Sequence, residues 1–239
     1  MTLTFLGTRG NIDIRSRRHR RHTSTLVAWR RARILIDCGG DWLGAIGRLR
    51  PTAIVVTHAH TDHVDGLRRG APCPVYASDR AWARMGRWPI RQIERISPRK
   101  SVNIGGLAFE PFPVGHSVGT PAVGYRITCG WHTIFYVPDV FKIPHVREAL
   151  EGIALYVGDG ATVTRPIVRR RHEVPIGHNS IAAQLRWCAL AHVPRAIFTH
   201  CGSGIVRGGR AVERRVQELG SAIGVDAEVA YDGLRITIP

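Results

Sequence analysis

His58, His60, Asp62 and His63 fall within six consecutive residues, His58-Ala-His60-Thr-Asp62-His63. Imidazole nitrogen and carboxylate oxygen bind a divalent ion such as zinc at about 2 Å, and a second ion sharing a bridging oxygen sits about 3.5 to 4 Å away. One histidine near a strand end is ordinarily a surface or capping residue. Three with an aspartate at this spacing predict a metal site, and the chemistry of a paired site is hydrolysis. Such a site needs further ligands, and three candidates follow apolar strands downstream: His116 in Pro113-Val114-Gly115-His116, Asp139 in Tyr136-Val137-Pro138-Asp139 and His200 in Ile197-Phe198-Thr199-His200.

The cluster follows the apolar run Ala53-Ile54-Val55-Val56. Continued in extended conformation, that run projects His58 and His60 to one side, while Asp62 and His63 lie where the chain turns into a helix. Other short β-branched or apolar runs read as strands: 3–6, 25–29, 33–36, 53–57, 75–77, 107–112 and 123–128. Helical patterns cover about 42–48, 79–86, 143–150, 180–192 and 210–220. Strands first and then alternation, in both halves, predicts an α/β protein of layered sheets flanked by helices. With 239 residues, 44% of them apolar, and no fixed-period repeat or low-complexity linker, residues 1–239 read as one domain with a substantial core.

The H-x-H-x-D-H run and the three later ligands resemble, position by position, those of the metallo-β-lactamase fold superfamily, over nearly the whole chain. The resemblance implies a four-layer αββα sandwich. It implies that His58, His60 and His116 hold one metal and Asp62, His63 and His200 the other, with Asp139 and a water or hydroxide bridging them. Asp37, closing Arg33-Ile34-Leu35-Ile36-Asp37, resembles the superfamily's strand-end aspartate, which supports the histidine loop without ligating. The two ions are expected to be zinc, with manganese or iron also compatible with these donors. Fold alone does not fix the reaction, since the superfamily includes lactonases, thioesterases, redox enzymes and phosphodiesterases.

His178, in Pro175-Ile176-Gly177-His178-Asn179-Ser180 at the start of a predicted helix, lies 22 positions before His200. Its setting is similar to that of the accessory histidine in the tRNA 3′-processing endonucleases and in the bacterial cyclic phosphodiesterases of phosphonate breakdown. A departing alkoxide needs a proton or positive charge, which such a histidine supplies. Only 23 positions separate His116 from Asp139, too few for the long arm by which those endonucleases grip tRNA, so the resemblance is to the armless phosphodiesterases.

Charge points the same way. The chain has 34 Lys+Arg against 18 Asp+Glu, a formal +16, which favours a polyanionic partner, although an arginine-rich composition alone produces the same number. Two clusters stand out: Arg15 to Arg21, and Arg169, Arg170 and Arg171 close before His178. The latter are candidate phosphate ligands, because guanidinium binds phosphate bidentately. Asp159, closing another apolar run, is read either as a turn residue or as a contact for His172 or a ligand.

These features lead to a metal-dependent phosphodiesterase of nucleotide-type substrates, cyclic nucleotide or nucleic acid, with Asp62 orienting the nucleophile and His178 assisting the leaving group. Two other readings stay open: a lactone, ester or thioester hydrolase using the same site, and a nucleic-acid-binding protein with structural metals. Five cysteines without a C-x-x-C pair give neither a disulfide framework nor a thiolate zinc motif. The absence of a basic leader and of a long apolar run sets the expectations of a cytoplasmic location and no membrane partner. A homodimer is expected by analogy with the superfamily alone.

Overall fold

Ile34, Leu35 and Ile36 are consecutive and all fully buried, which a strand allows only when both of its faces are covered. The computed structural model, which describes residues 1–238, shows what covers them. Ile34 and Ile36 join a core between two sheets, whereas Leu35 joins a separate core beneath helices. The same alternation sets Val55 apart from Ile54 and Val56. On the second sheet it sets Ile134 and Tyr136 apart from Phe135, and Leu155 and Val157 apart from Tyr156. Four layers result, helices on sheet on sheet on helices, the αββα sandwich implied by the sequence.

Strands are numbered along the chain. The first sheet holds β1 (Thr2–Gly7), β2 (Ser24–Trp29), β3 (Ala32–Ile36), β4 (Ala53–Val55), β5 (Val75–Ala77) and β6 (Ile93–Arg95) in sequence order, with β16 (Arg235–Thr237) beside β1. The second holds β7 (Val102–Ile104), β8 (Leu107–Val114), β9 (Ala122–Cys129), β10 (His132–Tyr136), β11 (Leu155–Asp159), β14 (Arg195–Thr199) and β15 (Asp226–Val229). A separate hairpin pairs β12 (Ile167–Arg171) with β13 (Val174–His178). Helices are α1 (Thr61–Val64), α2 (Asp79–Met85), α3 (Val146–Leu150), α4 (Ile181–Leu190) and α5 (Ser203–Ser221). The runs β3-β4-β5 and β10-β11-β14 are parallel, and loops leaving the carboxyl ends of parallel strands are where α/β sheets place their ligands.

Several elements differ from the sequence expectation. Residues 42–48 form two short 3₁₀ turns, Gly40–Trp42 and Ile46–Leu49, because Gly44 between them takes φ 74°. The helix expected from Ile143 begins at Val146, since Pro144 disfavours helical geometry in the residue before it. The last helix starts earlier than the expected 210–220, at Ser203, and kinks at Gly209. His178 closes strand β13 and does not open a helix; α4 starts at Ile181, capped by Ser180 Oγ accepting from the Ala183 N–H at 3.2 Å. Among the described residues no helix is long and apolar enough to cross a membrane.

Candidate active site

Every donor named from the sequence lies on one rim of the sandwich. His58 follows β4, His116 follows β8, Asp139 follows β10 and His200 follows β14, while Asp62 and His63 sit in the single turn of α1. Close approach permits this. A Cβ on Gly39 would collide with the Asp62 carbonyl, and one on Gly10 would stand 3.0 Å from the His200 ring. His200 itself adopts φ 55°, the left-handed region that histidine tolerates better than most residues.

Two donor groups meet at Asp139. In the first, His58 Nε2 lies 2.9 Å from His60 Nδ1, His116 Nε2 lies 3.3 Å from that same Nδ1, and His58 Nε2 lies 3.1 Å from Asp139 Oδ2. In the second, Asp62 Oδ2 is 2.9 Å from His200 Nε2 and 3.5 Å from His63 Nε2. Asp139 Oδ2 is also 3.0 Å from His63 Nε2, and its Oδ1 is 2.8 Å from His200 Nδ1. The donor atoms of His58, His60, His116 and Asp139 lie within 4.8 Å of one another, as do those of Asp62, His63 and His200.

The donor set fits metal ions. His63 Nε2, His200 Nδ1 and Asp139 Oδ1 are buried and satisfy no hydrogen bond despite these short separations, an arrangement natural to lone pairs aimed at a common cation and costly otherwise. The outer nitrogens are tied down. His63 Nδ1 donates to Asp37 Oδ2 at 2.8 Å, His116 Nδ1 donates to the Gly177 carbonyl at 3.0 Å, and His58 Nδ1 meets Thr57 Oγ1 at 3.1 Å. Since Thr57 Oγ1 donates to Asp37, it accepts from His58, and in the neutral form of each of these rings Nε2 is left as a lone pair.

Protonation divides along the same line. Burial holds His58 well below the usual imidazole range, and burial together with His116 brings His60 down to about 4; both are neutral donors. Burial also disfavours charge on His63 and His200, but Asp62 and Asp139 outweigh it, pushing His63 far up and His200 up to about 10. Asp62 and Asp139 are held well below the carboxylate range by the facing histidines in spite of burial. The second group therefore attracts positive charge, which a divalent ion supplies.

His178 stands beside the cluster, its ring stacked on His200 at 5.5 Å between centroids and 17° between planes. Its Nδ1 donates to Asp159 Oδ2 at 2.7 Å. Asp159 is fully buried and also accepts from the Val140 and Ala161 amides at 2.9 and 2.8 Å. It contacts His178, not His172. The same signal that marks Asp37 and Asp139, an aspartate closing an apolar strand, was available for Asp159; its partner lies across a hairpin that the sequence did not reveal.

A cavity of about 350 Å³ opens over the donors, lined by His60, Asp62, His116, Asp139, His178 and His200 and by Arg169 and Asn11. Cross-strand pairing of Ile167 with His178 and of Arg169 with Ile176 puts these four on one face of the hairpin, and all four line the cavity. Arg170 projects from the other face and pairs with Glu173 at 3.4 Å; the Arg171 guanidinium lies beside Gly119. Of the first arginine cluster, Arg15 pairs with Asp41, and Arg18 pairs with Glu213 while covering the Tyr231 ring. These two brace the fold and do not line the cavity. Asn11, which no motif marked, lines it from the N-terminal loop.

A model of the Beta-lactamase superfamily domain matches residues 32–201, from β3 through His200. The chain belongs to the beta-lactamase superfamily. Among solved structures it is similar to the metallo-beta-lactamase fold protein YhfI from Bacillus subtilis, with 16% identity, 98% of each chain covered and a TM-score of 0.77. It is similar to a diphosphatase of the PhnP family, with 22% identity over 98% of this chain and 96% of that one and a TM-score of 0.73. It is also similar to the short form of human tRNase Z, with 18% identity over the full length of both and a TM-score of 0.67. At these identities the likeness is one of fold. No curated protein matches the chain. Superfamily membership and the buried His/Asp cluster are together those of a metal-dependent hydrolase.

Proposed function

We infer that this superfamily member is a two-metal phosphodiesterase acting on nucleotide-type phosphodiesters. The observation that carries the reading is the Asp159–His178 pair at the edge of the donor cluster. Cleavage of a phosphodiester expels an alkoxide that must be protonated, as does that of an ester or lactone, whereas a thioester expels a thiolate that departs without a proton. A histidine fixed through Nδ1 to a buried carboxylate keeps Nε2 for that proton. The reading is supported by Arg169 in the same cavity, and by a diphosphatase and a tRNase among the similar structures.

His58, His60 and His116 would hold one ion and Asp62, His63 and His200 the other, with Asp139 between them. Zinc suits these donors first, and manganese or iron is compatible. Bound there, the ions supply Lewis-acid charge to the phosphoryl oxygens and ease ionisation of water. Asp62 accepts a hydrogen bond from the attacking water and orients it. Arg169 presents its fork of N–H groups to a non-bridging phosphate oxygen. The leaving arm extends past His178 and Arg169 into a second cavity of about 450 Å³ that both residues also line, with Ile12, Val163 and Ile205 as its apolar wall.

The test is His178→Ala assayed on two aryl methyl phosphodiesters that differ only in leaving group. Loss of a general acid costs about 10²- to 10⁴-fold when the leaving group is phenol, and much less when it is p-nitrophenol, which departs without a proton. Equal losses on both, or none, would remove His178 from this role.

A further inference from the structure

His60 and Asn11 line a further cavity, of about 250 Å³, to which no residue of the hairpin contributes. Its wall also holds Arg68, Arg84 and Trp88, beside Asp65 and the small or apolar Ala59, Thr61 and Val64. Trp88 is half-buried and packs against the core beneath the first sheet, so the indole is held in place while still lining the opening. The Arg68 guanidinium stands 5.7 Å from the Trp88 ring centroid and is tied by its Nε to Asp65 Oδ1 at 3.0 Å. Asp65 thus neutralises Arg68. Arg84 is exposed and makes no ion pair among the described residues. It is the cation left for a ligand.

Three cavities meet at Asn11: this one, the one over the donors, and the apolar one behind His178. At about 250 Å³ the Trp88 cavity is smaller than the roughly 300–1,000 Å³ that holds a whole small ligand. It suits one part of a ligand whose reacting centre lies over the donors. Given the phosphodiesterase reading, on which this inference rests, the leaving arm lies on the His178 side. In-line attack reserves the position opposite the leaving oxygen for water, so the retained arm leaves phosphorus sideways, and the Trp88 cavity, which shares His60 and Asn11 with the cavity over the donors, is open to it. We propose that the Trp88 cavity is a subsite for the nucleoside that retains the phosphate, its base stacked on Trp88 and its next phosphate held by Arg84. A half-buried indole with Arg68 over its ring, and the unpaired Arg84 on the same cavity wall, form an aromatic and cationic platform of the kind that holds single-stranded nucleotides without regard to base identity.

The experiment compares esters that share a p-nitrophenolate leaving group and differ in the retained arm: methyl p-nitrophenyl phosphate, thymidine 5′-(p-nitrophenyl phosphate), and the latter bearing a 3′-phosphate. The zinc-loaded wild type should prefer the thymidine ester to the methyl ester by about tenfold in kcat/KM, a ratio within the worth of one base–aromatic stack. Trp88→Ala should abolish that preference and Trp88→Phe should restore most of it. Arg84→Gln should remove only the additional gain from the 3′-phosphate. A wild type that hydrolyses both esters without preference, or a preference intact in Trp88→Ala, overturns the subsite and leaves the phosphodiesterase reading standing. If the wild type hydrolyses neither, that reading falls, and calorimetric titration with thymidine 3′,5′-bisphosphate decides the subsite alone. Binding weakened about tenfold in Trp88→Ala supports it; absent or unchanged binding overturns it.

Discussion

Asp159 and His178 face each other across 2.7 Å, carboxylate Oδ2 to imidazole Nδ1, with the carboxylate anchored by two backbone amides. Burial alone would push the imidazole down, but the Asp159 carboxylate, aided by Asp139, outweighs it and His178 lies above the ordinary value. In its proposed role as proton donor, His178 should lose function as pH rises through that raised pKa. Asp159→Asn removes the charge that raises it, so the alkaline limb of the pH–kcat profile should move to lower pH, with kcat reduced about 10- to 100-fold. An unmoved limb with an unchanged rate would take Asp159 out of the account.

A second prediction concerns Asp37, fully buried and shared between His63 Nδ1 and the Thr57 N–H and hydroxyl. Asp37→Asn leaves every proposed ligand in place but loosens the one it orients. Zinc affinity, measured by competition with a chromophoric chelator, should fall about 10- to 100-fold, with the weaker of two binding steps affected most. Equal affinities in variant and wild type would show that His63 is positioned without it.

Asp41 tests the arginine-rich loop as structure. It meets Arg9 at 2.6 Å, Arg15 at 3.0 Å and the His22 ring at 3.1 Å, and the Arg9 side chain is only 2% exposed. Asp41→Ala strands that buried guanidinium without a counter-charge, at a cost of about 3 kcal/mol, read as a Tm lower by roughly 6 to 12 °C. Despite some burial, His22 and Arg9 hold the Asp41 carboxyl below its usual range. Its ionised form therefore stabilises the fold above the unfolded pKa of about 4, and the contribution is lost as pH falls below that. Wild type and Asp41→Asn should converge in acid. Constant separation down to pH 3 would contradict this.

Several donor residues were legible in the sequence because they follow strands with unbroken apolar runs, as at Ile54 to Val56 before His58 and Ile134 to Val137 before Asp139. Both faces of those strands are buried, and the run ends abruptly in a polar donor. The β12–β13 hairpin was not legible, since its residues are mostly exposed and Ile167 to Arg171 has no alternating apolar face. With it went the strand position of His178, the link from His178 to Asp159, and the distinction between Arg169 and Arg170. Strand parity settles that distinction only once the register with Ile176 is known. Asn11 and Trp88 carry no pattern at all; they matter through packing between loops distant in sequence.

The rim of this sandwich is proposed to cleave phosphodiesters. The most direct measurement is turnover of bis-p-nitrophenyl phosphate beside that of a lactone and a thioester, using protein stripped by chelation and then reconstituted separately with zinc and with manganese. Metal-dependent turnover of the phosphodiester and none of the acyl substrates is expected. Turnover confined to the lactone or thioester would contradict the proposal, and would leave His178 and Arg169 without the roles assigned to them.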